Sequence, residues 1–226
     1  MQSTEELVKA ALSANRLATY EQAKGITIPG LQRPLPLCQA LELYAWNAQI
    51  AAAFMHPLHI CEVVVRNGVS DALEAVYGAN WPWSPGFLRS LPNPRVGYSM
   101  HKDLIAATRG NPTTGKVIPE LKFVFWQKMF TSRYDARLWG PHLSRVFPKL
   151  PAGQPATGSR TALFVALEKI RALRNRIAHH EPIYARNLTE DFATIHDLIV
   201  WRSPETARWM NQHQEVTALL GKYPIR

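Results

Sequence analysis

The stretch RTALFVALEKIRALRNRIAHHEPIY, Arg160 to Tyr184, decides how the chain is read. Leu163, Phe164, Leu167, Ile170, Leu173 and Ile177 recur at helical intervals, which predicts one long helix with an apolar stripe turned to a core. At about 100° per residue, Asn175 and His179 fall about 40° apart on one face, while Arg174 and His179 are about 140° apart. Pro182 disfavours helical geometry at Glu181 and so places both histidines in the last turn, where the carboxyl end of the helix dipole favours an imidazolium. Arg174 then meets His179 in one of three ways: its side chain reaches round, the helix loosens before Pro182, or a second copy of the chain supplies one of the two.

The same spacing extends outward through the chain. Ser3-Thr4-Glu5-Glu6 has a capping-box pattern, and Leu7, Ala10, Ala11, Ala14, Leu17 and Ala18 continue it as one helix to about Tyr20. A Pro- and Gly-containing loop, Gly25 to Pro36, leads to an alanine-rich apolar helix over Leu37 to Met55. Pro57 suits the first turn of a third helix running to about Tyr77, with Leu58, Cys61, Val64, Val65 and Val69 inward. Trp81 to Gly97 is too rich in Pro and Gly to be regular, yet its aromatics predict that it packs down. Further helices are expected at Tyr98 to Arg109, Pro119 to Phe130, Asp135 to Phe147, Arg160 to His180, Thr189 to Trp201 and Pro204 to Leu220, the last capped by Ser203 and closed by Gly221. Pro151 to Ser159 reads as a surface loop, and no alternating run with hairpin turns stands out. The fold class is all-α: one helical-bundle domain over 37–226, with an N-terminal helix and loop, 1–36, packed on it.

Composition narrows the function classes. At 226 residues and 46% hydrophobic content the chain can bury a core, which excludes a disordered or low-complexity protein. The N-terminus MQSTEELVKA lacks a basic stub followed by an apolar stretch, and no run of 18 uncharged apolar residues occurs, so a cytoplasmic protein without membrane association is expected. Cys38 and Cys61 stand apart in apolar surroundings and read as core residues. Residues 121–180 hold 11 Lys and Arg against 2 Asp and Glu, which accounts for the whole net charge of +9. This is either a polyanion-binding face or an ordinary solvated basic surface.

Four blocks now fall into order: EVVVRNGV at Glu62–Val69, VIPELKFVFWQKMF at Val117–Phe130, DARLWGPHLSRVFP at Asp135–Pro148 and LRNRIAHHEPIY at Leu173–Tyr184. Arg174-Asn175-Arg176-Ile177-Ala178-His179 resembles the Arg-x4-6-His signature of the HEPN superfamily, and the blocks together resemble its Abi-like, abortive-infection branch. The resemblance implies a HEPN-like bundle, a homodimer whose signature helices share a cleft, and a metal-independent endoribonuclease used in phage defence or growth arrest. It needs no cofactor, because RNA carries its own nucleophile in the 2′-hydroxyl. By the same resemblance His179 is the acid/base group, with His180 in reserve, Arg174 clamps phosphate, and Asn175 orients the histidine or donates to the phosphate. In a related superfamily pattern a tyrosine stands two positions after the histidine; position 181 here is Glu and the nearest downstream tyrosine is Tyr184.

His59, Glu62, Arg66 and Asn67 also place polar groups in an apolar helix, with the first three on one stripe. They line the same cleft or bind RNA in one reading; in the other, Glu62 and Arg66 form an internal pair that fixes packing. Phe123, Phe125, Trp126 and Phe130, among Lys122 and Lys128, read mainly as core. His179, His180 and Glu181 lack a third cluster for a metal, and none is expected. Rival readings remain: a HEPN module that grips RNA without cutting it, with a noncoding RNA or antitoxin as partner, or a dimerisation module of a defence complex.

Overall fold

The computed structural model describes residues 2–23 and 34–224, so most of the expected loop from Gly25 to Pro36 lies outside the described residues. Twelve α-helices follow one another without a strand among the described residues. They are α1 (Thr4–Leu12), α2 (Ala14–Glu21), α3 (Leu37–Tyr77), α4 (Pro85–Ser90), α5 (Met100–Thr108), α6 (Thr114–Glu120), α7 (Phe123–Lys128), α8 (Gly140–Val146), α9 (Ala156–Ala178), α10 (Leu188–Arg202), α11 (Pro204–His213) and α12 (Val216–Leu220).

The axis of the bundle is α3, 41 residues and about 60 Å long at 1.5 Å per residue. Two helices meeting at Pro57 were expected, but α3 runs straight through it. An interior proline costs about 3 kcal/mol, while burying a Phe or Leu gains about 1.5–3 kcal/mol. Phe54 and Leu58, on either side of Pro57, are both buried, so packing outweighs the break. Gly68 lets α3 be crowded: a Cβ there would lie 3.0 Å from both Arg202 Nη1 and Val146 Cγ1. By length and an 18-residue hydropathy of 1.4, α3 also meets the criteria for a membrane span, but buried side chains recur along it from Ala40 to Leu73, as on the central helix of a bundle.

Elsewhere the boundaries shift for local reasons. The Ser3–Glu6 capping box forms as expected, but the first helix breaks at Ser13, whose φ is 75° and whose hydroxyl accepts the Arg16 N–H at 3.3 Å. No residue of α1 is buried, whereas Leu17 and Tyr20 of α2 are. The segment expected as one helix from Asp135 begins with a π-helical turn, Asp135–Trp139. Gly140 permits it, because a Cβ there would sit 3.1 Å from the Asp135 carbonyl oxygen. The Pro119–Phe130 helix is instead α6 and α7, and α9 starts at Ala156, inside the expected loop. Ser203 caps α11 as expected, but the chain breaks after His213 and Gly221 closes the separate α12. Trp81–Gly97 packs down through Trp81, whose Nε1 donates to Ser70 Oγ at 3.0 Å. Phe123, Phe125, Trp126 and Phe130 are core, as is Cys61; Cys38, expected inside, is exposed on the first turn of α3, because that turn buries Ala40 and leaves the face of Cys38 outward.

Candidate functional site

The last turn of α9 determines the geometry of the site. The helix ends at Ala178, with His179 as its C-cap (φ −94°, ψ 9°) and His180 in the left-handed region (φ 54°). The His180 N–H donates to Ile177 O at 3.0 Å and the Glu181 N–H to Arg176 O at 2.8 Å, the paired bonds of a Schellman closure with a histidine where glycine is usual. Arg176 completes the turn, donating to Pro182 O from Nη2 at 2.8 Å and lying 3.7 Å from Glu181. The histidines therefore stand just beyond the helix rather than in its last turn, because Pro182 and the Arg176 clamp end it early.

The chain after the turn is held by one amide. Asn47 of α3, 6% exposed, accepts the Ile183 and Tyr184 N–H groups on Oδ1 at 2.8 and 3.1 Å. From the other side, Arg16 of α2 donates from Nη2 to the His180 carbonyl at 2.5 Å and from Nε to Tyr44 Oη at 3.1 Å. Between these elements lies a cleft of about 650 Å³ lined by the apolar Ala48, Ala51, Ala52, Met55, Ile177 and Ala178 and by the polar Arg16, Tyr44, His180 and Glu181. Tyr20 also lines it, its hydroxyl pushed up to about 12 by burial although Arg16 pulls it the other way, so it stays neutral. Arg16 Nη1 has no hydrogen-bond partner among the described residues, and Arg16 lines the cleft together with His180 and Glu181.

The expected site residues divide over two faces. Arg174 is exposed and without an ion pair or side-chain hydrogen bond among the described residues. It shares the face of Ala178, one turn on, and so flanks the cleft. Asn175 and His179 lie on the neighbouring face, outside the cleft, while His180 lines it. Within one chain, Arg174 and His179 are not brought together. His59, Glu62 and Arg66 continue the line Ala48, Ala51, Met55 along α3 at three- and four-residue steps but do not line the cleft. Glu62 and Arg66 approach to 3.8 Å as a half-buried pair one turn apart within α3, and Asn67 is exposed.

Basic residues 121–180 are less free than their count suggests. Lys122, Arg160, Lys169, Arg171 and Arg176 are ion-paired, with Asp103, Asp135, Glu190, Glu168 and Glu181. The Arg171 bond draws the Glu168 carboxyl below its ordinary range against the opposing effect of burial, and Gln127 donates to the same carboxylate. Lys128, Arg133, Arg137, Arg145, Lys149 and Arg174 have no ion pair among the described residues, and of these Arg174 alone adjoins the cleft.

No protein-family model, curated protein or solved structure matches the chain. Its site is therefore argued from its own residues. Arg16, Tyr44 and Arg176 carry no signal in the sequence, since an arginine on an amphipathic helix looks like any solvated one. Asn47 does carry a signal: it is a lone amide flanked by apolar residues in AWNAQIAAAF.

A non-glycine residue in the left-handed region costs about 1 kcal/mol. His180→Gly is thus expected to raise the melting temperature by about 2–4 °C, even though it deletes the cleft-lining imidazole. Thermal unfolding monitored by circular dichroism checks this; an unchanged or lower melting temperature would mean the histidine side chain stabilises the turn. Strain kept where a glycine would relieve it is characteristic of functional positions.

Proposed function

We propose that the chain is a metal-independent endoribonuclease of the HEPN, abortive-infection type, acting as a homodimer. The observation that carries this reading is that one helix end carries Arg174, without an ion pair among the described residues and flanking the cleft, an exposed imidazole, His180, that lines it, and a second exposed imidazole, His179, on the neighbouring face. The 2′-oxygen attacks phosphorus, a base takes its proton, the P–O5′ bond breaks, and an acid returns a proton to the 5′-oxygen. A 2′,3′-cyclic phosphate and a 5′-hydroxyl result. Arg174 would clamp the phosphate, since a guanidinium is always charged and binds phosphate through two parallel hydrogen bonds.

Two proton-transfer groups are needed, and His180 and His179 diverge from the same turn. A twofold dimer that faces α9 against its symmetry mate would set His180 of one chain opposite His179 of the partner subunit, with Asn175 beside it. In EDTA, purified protein is expected to cut single-stranded RNA into cyclic-phosphate products, and induced expression is expected to arrest growth. Activity lost on chelation and restored by magnesium would overturn the metal-independent route. A second reading, an RNA-gripping module without cleavage, is favoured by unpaired arginines far from the cleft; absence of cleavage with binding retained would select it.

A further inference from the structure

Arg137 Nη1 lies 3.3 Å from Tyr77 Oη at the end of α3, Arg133 Nη1 lies 3.3 Å from Ser90 O at the end of α4, and Arg145 Nη2 lies 3.2 Å from the Asp71 carbonyl. The Tyr77 ring packs on Phe87 of α4, with centroids 5.1 Å apart, which ties these positions into one end of the bundle. Arg89, in the last turn of α4, is exposed and has no ion pair among the described residues. The three acceptors named are neutral, so the guanidinium groups of Arg133, Arg137 and Arg145 are oriented without being neutralised.

The acidic residues at this end do not cancel them. The Asp71 carboxylate is taken by Arg202 at 2.6 Å, and Asp135 by Arg160 at 2.9 Å; exposed Glu74 has no ion pair among the described residues. Trp83, in the short turn leading into α4, is 40% exposed. Asn47, at the cleft, and Tyr77 are 30 residues apart on α3, or about 45 Å at 1.5 Å per residue, so this surface is separate from the cleft.

We infer that this end of the bundle is a second surface, which holds the phosphodiester backbone of single-stranded nucleic acid through Arg89, Arg133, Arg137 and Arg145 and stacks a base on Trp83. Guanidinium groups suit phosphate because they match it with two parallel hydrogen bonds, and an exposed indole in the turn that leads into α4 is the kind of platform that unpaired bases use. An acidic protein segment would satisfy the arginines but would leave the indole without a role. The inference does not depend on cleavage in the cleft.

The test is fluorescence anisotropy with labelled oligodeoxythymidylate, which lacks the 2′-hydroxyl and cannot be cut, across a salt series. Each phosphate contact on a single strand contributes about 0.7 to the slope of log affinity against log salt. The double variant Arg133→Ala/Arg137→Ala is therefore expected to flatten the slope by about 1.4 and to weaken binding about 25-fold near 0.1 M salt. Trp83→Ala should weaken binding with the slope unchanged. Both sites are exposed, and Arg89→Ala/Arg145→Ala serves as a second variant if the first misfolds. A slope unaltered in both double variants overturns the inference, as does polyglutamate competing equally well while Trp83→Ala has no effect, which would point to an acidic protein partner. A parent protein that binds in this way but never cuts RNA upholds this surface and removes the cleavage reading alone.

Discussion

Arg174→Ala, His179→Ala and His180→Ala are each expected to lower RNA cleavage by about 10²–10⁴-fold, the range for losing a proton-transfer group or a charge clamp from a reacting phosphate. All three residues are exposed, so the variants should unfold near the temperature of the parent, and the loss should fall on turnover rather than on protein yield. The offset of Arg174 and His179 on different faces of α9 makes a stronger demand. If the working site takes groups from two chains, mixing inactive Arg174→Ala with inactive His179→Ala should restore part of the activity, because some mixed dimers hold one intact set. Single-turnover cleavage, with the oligomeric state read by sedimentation in the same buffer, checks both. Full activity in a monomer would defeat the composite site, and full activity in the Arg174→Ala variant would remove the arginine from the chemistry.

What the sequence disclosed follows from which forces have a periodic signature. Leu163, Leu167, Ile170, Leu173 and Ile177 are all buried, because burial of a helix stripe is written directly into residue spacing, and the same rule gave the all-α class. Pro57 misled because a local rule, the proline break, was weighed without the packing energy around it. Ser13 and the π-helical turn at Asp135 were hidden for a related reason: each depends on a specific acceptor or on a neighbour close to Gly140, and neither leaves a period in the sequence. At the site, the histidines were visible as types and the cleft was not. Its walls come from residues 16–20, 44–55 and 177–181, brought together by helix packing. The basic window shows the limit of counting charge along a chain, since Asp103, Glu181 and Glu190, which neutralise part of it, lie outside the window.

Asn47→Ala is expected to be the most destabilising of the single changes at the site, by about 2–4 kcal/mol. The Asn47 amide oxygen accepts two backbone N–H groups, and Ile183, one of the donors, is fully buried. Each buried donor left without an acceptor costs about 1–3 kcal/mol, with Tyr184 at the lower end because it is partly exposed. For a chain of this size the melting temperature should fall by about 4–16 °C. The damage should also be local: Ile183 and Tyr184 lose their anchor to α3, while Arg176 still holds the Pro182 carbonyl and Arg16 the His180 carbonyl. Hydrogen exchange at the Ile183 and Tyr184 amides should therefore quicken more than in the core of α3, and cleavage should drop well below the melting temperature. Asn47→Asp, which keeps the acceptor oxygen, should recover part of the protection but carry the cost of a buried charge. Slow exchange at both amides in Asn47→Ala, with a loss under about 1 kcal/mol, would show that water or a shifted side chain satisfies them and that the Asn47 amide is not what holds the turn.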